Sequence, residues 1–379
     1  MRHWLSDDPP GWTIRAVTAT RVVHSGGSCR RTDPAGNWLS VRPGSLTPVR
    51  ERPARLVDVR DGDRRSGGVT VPPSFAAMPR WRVEGSGWLA ALPHKIDMQC
   101  NRWGLRIVGP AAYGSNAIVV PVDRGDEPLV LRMTPPGRDV AELVRALRFW
   151  DGRGTVRLIL DDLDAGAMLL ERLSADSLAA VPVDEAMAVI GRMMRRLAVP
   201  VPSDIALPDV AHPGEPQPGE APPGIVSTTE IRADRAAALP HDWTELAEPF
   251  DRTFLTAALD AAGRLSASPD NSATAVNGDL HSAQVLHGVR EPWLVVDPVL
   301  LRGDIAYDLA RALWTRLDEI PDVAGILACF DIAVRESGVD HDSARDAVVF
   351  RTVDYWLWCL SAGLTEDPLR CERLTRAFA

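Results

Sequence analysis

The 379-residue chain contains one lysine, Lys95, among 42 basic residues. All other cationic side chains are arginines, so any site that calls for a lysine must use a guanidinium instead. Cysteine is also scarce. Cys29, Cys100, Cys329, Cys359 and Cys371 are scattered and form no CxxC pair, which excludes a disulfide scaffold and argues against structural zinc. Cys359 and Cys371 lie among apolar neighbours and read as buried thiols. No apolar run approaches the ~18–20 residues that a membrane span needs. Residues 1–10 carry acids and prolines where a secretion signal needs an apolar stretch. A net charge of −9 and a pI near 5.4 exclude a general nucleic-acid binder. These absences lead to the expectation of a soluble, cytoplasmic protein with neither membrane nor nucleic acid as partner. With 45% hydrophobic and 25% charged residues, the chain has material for a large core and length for two lobes.

Residues 1–77 differ from the rest. They hold twelve arginines against seven acids, show no sustained apolar period, and include Ser25-Gly-Gly-Ser28, Ser66-Gly-Gly68 and Pro72-Pro-Ser74. Two explanations are open: a translation start placed too early, with Met78 or Met98 as the natural one, or a basic arm that binds a partner. The domain division that follows is a weakly structured extension over 1–94, a β-rich lobe with its hinge over 95–173, and a helical lobe over 174–379. In the β-rich lobe, Ala117–Val122 and Leu129–Met133 pair around 123–128, and Val156–Leu160 and Ala167–Leu170 pair around 161–166. Between these pairs Val140, Leu143, Val144 and Leu147 recur at helical spacing, with Asp139 as the expected N-cap. Helical patterns continue over 184–197, 243–264, 305–317, 323–337 and 343–364, interrupted by a Pro/Gly-rich stretch over 200–224. Trp293–Asp297 reads as a buried strand.

Chemistry concentrates in Asn277-Gly-Asp-Leu-His-Ser-Ala-Gln284 and Leu294-Val-Val-Asp-Pro298. These place a carboxylate (Asp279), an amide five residues on (Gln284), and a second carboxylate (Asp297) that ends an apolar strand. Phosphoryl transfer from ATP uses such a set: a carboxylate to orient the attacking hydroxyl, and oxygen ligands for Mg²⁺. Taken with Trp103-Gly-Leu105, Ala146–Asp151, Leu169-Leu-Glu-Arg-Leu173 and Gly303–Leu309, the pattern resembles the aminoglycoside/hydroxyurea antibiotic resistance kinases, a family that includes streptomycin 6-kinases.

That resemblance implies an α+β, two-lobed, protein-kinase-like fold: a small antiparallel β-rich lobe and a mainly helical lobe. It implies Asp279 as the catalytic aspartate and Asp297 and Gln284 as Mg²⁺ ligands. It further implies Arg132 as the holder of the ATP phosphates, with Glu142 as its helix-borne partner. Gly114 and Ser115 would lie in the loop over the phosphates, and Glu171, Arg172 and Leu173 would form the hinge against adenine. The expected activity is that of a phosphotransferase with an alcohol group as acceptor, moving the γ-phosphate to a small, cationic, polyhydroxylated molecule such as streptomycin. Two positions depart strongly from the family pattern, Arg132 replacing a lysine and Gln284 an asparagine; Asn277, where the family usually has a histidine before Gly-Asp, is a third and milder departure. An arginine fork is wider than an ammonium, and the longer amide displaces its oxygen by about an ångström, a shift that can cost on the order of 10²-fold in rate. The alternatives are a pseudokinase that binds or scaffolds a protein partner, and a kinase of Ser or Thr in a natural-product precursor peptide. Two readings are open for the acids Asp304, Glu319, Asp322 and Asp354: an anionic pocket for a cationic substrate, or an ordinary solvated surface. His281, Asp304 and Asp308 read as loop-shaping groups, and Trp356 and Trp358 as core or pocket wall.

Overall fold

The computed structural model describes residues 69–78, 80–83, 85–202, 224–267 and 273–378. Residues 1–68, and most of the Pro/Gly-rich stretch over 200–224, lie outside the described residues. The first described elements are helices α1 (Pro73–Ala76), α2 (Arg80–Val83) and α3 (Ser86–Trp103), which occupy the region expected to be a loose extension. Aromatic burial is the reason. Trp81 stacks on Trp88 with ring centroids 5.2 Å apart, Phe75 meets both edge-on at 5.0 and 6.5 Å, and Leu92, Ile96 and Cys100 continue the apolar face along α3. Short helices and an internal proline at Pro93 obscure the 3.6-residue period in the sequence.

These helices cover one face of a six-stranded antiparallel sheet. Its strands are β1 (Arg106–Ile107), β2 (Ala112–Tyr113), β3 (Ile118–Arg124), β4 (Glu127–Met133), β5 (Leu158–Asp162) and β6 (Ala167–Glu171). The order is β1-β3-β4-β6-β5, with β2 also on β3. Alternation decides which side chain goes where. Leu129, Leu131 and Met133 face the aromatic helices, and their neighbour Arg132 turns to the other face, in register with Met168. That second face is covered by α4 (Arg138–Trp150) through Val140, Leu143, Val144 and Leu147, the residues that the helical spacing marked. The helix begins one residue before Asp139. Gly137 occupies the N-cap position, and Asp139 lies in the first turn.

The helical lobe holds α5 (Val183–Leu197), α6 (Thr228–Glu245), α7 (Arg252–Ala267), α8 (Leu309–Trp314), α9 (Val323–Ser337), α10 (His341–Ser361) and α11 (Asp367–Phe378). The single helix expected over 243–264 is split, with Ala247 and Glu248 at positive φ just before Pro249. Two short strand pairs complete the lobe. β7 (Ala275–Val276) pairs with β10 (Leu301–Arg302), and β8 (Val285–His287) pairs with β9 (Trp293–Val295). The lobes meet where the amide of Val156 donates to the carbonyl of Val295 at 2.8 Å, and that of Val295 to Gly154 at 3.0 Å.

Because Phe75 is fully buried, Phe75→Ala removes core rather than tail. Such truncations cost about 3–5 kcal/mol, so the thermal midpoint is expected to fall by several degrees. An unchanged midpoint would return these helices to the status of a loose extension.

Candidate active site

The site is built from two hairpin-like pairs that bring Asp279, Gln284 and Asp297 together. β7 and β10 flank the loop that begins at Asn277, whose side-chain Oδ1 accepts from the Val299 amide at 3.1 Å. Gly278 then takes φ +80°, and a Cβ there would stand 2.7 Å from Leu301 Cδ1. Only glycine makes this turn without strain. The turn delivers Asp279 into the interior, where its side chain has no solvent exposure.

Both Asp279 oxygens are engaged. Arg311 Nε donates to Oδ1 at 2.7 Å, and Gln284 Nε2 donates to Oδ2 at 2.9 Å. Burial pushes the Asp279 carboxyl up to about 6; Arg311 pulls it down and the neighbouring Asp297 raises it. Asp308, also buried, anchors the loop by accepting from the Leu280 amide at 3.5 Å and from those of Gly278 and Asn277. Burial pushes its carboxyl up to about 7, the loop amides opposing. His281 is buried too, and burial together with Arg311 drives its pKa down to about 3, so it is a neutral loop residue.

Asp297 follows β9 and is partly exposed. Arg132 reaches it from β4 with NH2 at 3.2 Å from Oδ1 and 3.4 Å from Oδ2. The family resemblance implied Glu142 as the partner of Arg132 instead. Glu142 is taken by Arg138 Nε at 2.6 Å, an i,i+4 partner on the same helix, while Arg132 is drawn across the cleft to the acid on the other lobe. The hinge triad is fixed by its side chains: Glu171 pairs with Arg290 at 2.7 Å, Arg172 with Asp123 at 2.7 Å, and Leu173 packs beside the α4 core. The Glu171 amide donates to the Arg157 carbonyl at 3.1 Å. Gly114 and Ser115 form the β2–β3 turn, closed by the Gly114 amide on the Ala117 carbonyl at 2.9 Å and by Arg80 on the Ser115 carbonyl at 3.1 Å.

The four acids that could have lined an anionic pocket serve elsewhere. Asp304 caps the turn at Ala306 and Asp322 caps α9 at Gly325, while Glu319 and Asp354 pair with Arg316 and Arg235. Short polar side chains at helix starts satisfy local amides first, which net charge alone does not reveal. Trp356 is core, stacked on Phe250 at 4.3 Å; Trp358 is half-buried and stacks on Tyr355 at 5.5 Å. Arg311 was the functional residue missing from the motif inventory. Its signal was one cation inside the apolar run Leu309-Ala-Arg-Ala-Leu-Trp314.

A buried carboxylate, an amide and a second carboxylate at the lobe junction, met by a cation from a sheet lobe, is the set used in phosphoryl transfer from a nucleotide. The chain matches the family model for aminoglycoside/hydroxyurea antibiotic resistance kinases over residues 102–363. It is 33% identical over 305 residues to streptomycin 6-kinase of Streptomyces glaucescens, covering 78% of this chain and 92% of that protein. It is 31% identical over 326 residues to hydroxyurea phosphotransferase of Kitasatospora aureofaciens, covering 84% and 88%. Among solved structures, aminoglycoside phosphotransferase APH(4)-Ia aligns with a TM-score of 0.47 at 17% identity, over 76% of this chain and 99% of that one. The chain belongs to the aminoglycoside/hydroxyurea antibiotic resistance kinase family.

Gly278→Ala forces a side chain into positive φ and onto Leu301, costing about 1–3 kcal/mol. We expect a lower thermal midpoint and displacement of Asp279; an unperturbed midpoint would contradict the strained turn described here.

Proposed function

We propose that the protein transfers the γ-phosphoryl group of ATP to a hydroxyl of a small polar molecule of the aminoglycoside class, with streptomycin as the first candidate. The observation that carries this reading is Asp279, buried and held by donors on both oxygens, beside Asp297 at the lobe junction. The names of the relatives, streptomycin 6-kinase and hydroxyurea phosphotransferase, support a small hydroxylated acceptor.

The residues fit Mg²⁺. Gln284 Oε1 is buried with no hydrogen-bond partner, while its Nε2 is committed to Asp279, which leaves an acceptor oxygen for a cation. Together with the Asp297 carboxylate it forms an all-oxygen donor set of the kind a hard cation selects. When bound, the ion would neutralise charge on the phosphates. Asp279 then orients the acceptor hydroxyl and takes its proton. The hydroxyl oxygen bonds to the γ-phosphorus, the bond to the β,γ-bridging oxygen breaks, and ADP leaves with that electron pair. Adenine contacts would fall to the backbone of Arg172 and Leu173, because the Glu171 amide is already used. Arg132, now on Asp297, would turn to the phosphates.

Two measurements test this reading. Ligand at about 100 times its dissociation constant adds roughly 2.7 kcal/mol, so Mg·ATP is expected to raise the thermal midpoint. Asp297→Asn should abolish the Mg²⁺-dependent part, and no shift in the wild type would overturn the assignment. Acceptor-dependent ADP release should fall as pH drops through about 6, because Asp279 takes up a proton there and can no longer accept one. A flat profile between pH 5 and 8 would contradict the role given to Asp279.

A further inference from the structure

We propose that Arg311 is the positioning residue for Asp279, fixing the orientation of its carboxylate toward the acceptor hydroxyl. The proposal rests on the phosphotransfer reading above. Arg311 and Asp279 are 3% and 0% exposed at their side chains and meet at 2.7 Å, 32 positions apart in sequence. Arg311 Nε holds Oδ1 while Gln284 Nε2 holds Oδ2, so rotating the carboxylate would break both bonds.

The mount for this arginine is rigid. Every residue of α8 is buried, so the helix has no solvent face toward which to shift. Asp308, three residues before Arg311 and one turn away, holds the backbone of the same loop. One turn of chain therefore grips both the loop backbone and its reacting carboxylate. Gln284 alone could not do this if its Oε1 also serves a cation, because a shifting amide would carry the carboxylate with it. Arg311 supplies an anchor independent of that ligand.

The test uses the full chain with Mg·ATP and streptomycin, comparing wild type, Arg311→Met and Arg311→Lys. Misplacing a reacting group by an ångström can cost about 10²-fold, so Arg311→Met is expected to lose about 100-fold in kcat while the KM for ATP stays within threefold. Arg311→Lys keeps the charge but not the Nε geometry, and should recover part of that loss. A folding control is the double variant Asp279→Asn with Arg311→Met: it removes both charges of the buried pair and should regain part of the midpoint lost by Arg311→Met. Absence of wild-type turnover would overturn the functional reading, and this proposal with it. Wild-type turnover matched within threefold by Arg311→Met would overturn this proposal alone. So would a fall in kcat accompanied by an equal loss of ATP affinity, which marks a merely structural role. If Arg311→Met does not fold, Arg311→Lys decides: reduced kcat at constant KM supports positioning, and unchanged kcat refutes it.

Discussion

A carboxylate removed entirely from water is tolerated only when charge and hydrogen bonds replace what the solvent gave. Asp279 is in that position, and much of the surrounding architecture serves to satisfy it. Arg311 supplies the opposite charge and Gln284 a second donor. Asp308 gathers the loop amides that would otherwise be orphaned, and Gly278 supplies the turn that admits the side chain. Burial still wins part of the contest, because the Asp279 carboxyl stays raised to about 6 despite its partners. A carboxylate tuned upward and held still is suited to accept a proton near neutral pH.

The two stronger departures from the family pattern have different structural meanings. Gln284 keeps a single side chain bridging the two functions of the loop: its nitrogen serves Asp279 and its oxygen is left without a partner. Its extra methylene is accommodated in a 3₁₀ turn that begins at Ser282 and is fixed by the Gln284 amide on the His281 carbonyl at 3.0 Å. Arg132 alters the lobe interface more deeply. One guanidinium nitrogen, Nη2, reaches both oxygens of Asp297, so the cation from one lobe and the acid from the other neutralise each other. Under the proposed function, nucleotide and metal would have to compete with that pair.

Much of this was legible in the sequence where the signal was local. The strand pairs around 123–128 and 161–166, the apolar stripe of α4, and the Asp279, Gln284 and Asp297 set all lie within short windows. Their periodicity or spacing is therefore preserved. What escaped was non-local or broken. The Arg132–Asp297 contact joins residues 165 positions apart, and no spacing rule could choose it over Glu142. Arg311 lay two residues past the last recognisable motif. The aromatic helices before residue 94 are too short and too interrupted to show a period, although Phe75, Trp81 and Trp88 carried the burial that orders them. Among the acids, Asp304 was legible as a helix-start carboxylate, whereas Asp322 could not be told from a pocket-lining group until its amide partner was seen.

The central claim is that a clamped Asp279 orients the acceptor hydroxyl and takes its proton as the hydroxyl receives the γ-phosphoryl group of ATP. It is tested most directly by following Mg·ATP and streptomycin by phosphorus NMR with wild type and Asp279→Asn. A new phosphomonoester resonance that grows with wild type, and is lost or slowed by orders of magnitude in the variant, is the predicted result. Equal growth with both proteins would contradict the account, as would ATP persisting unchanged with wild type across a panel of hydroxylated acceptors.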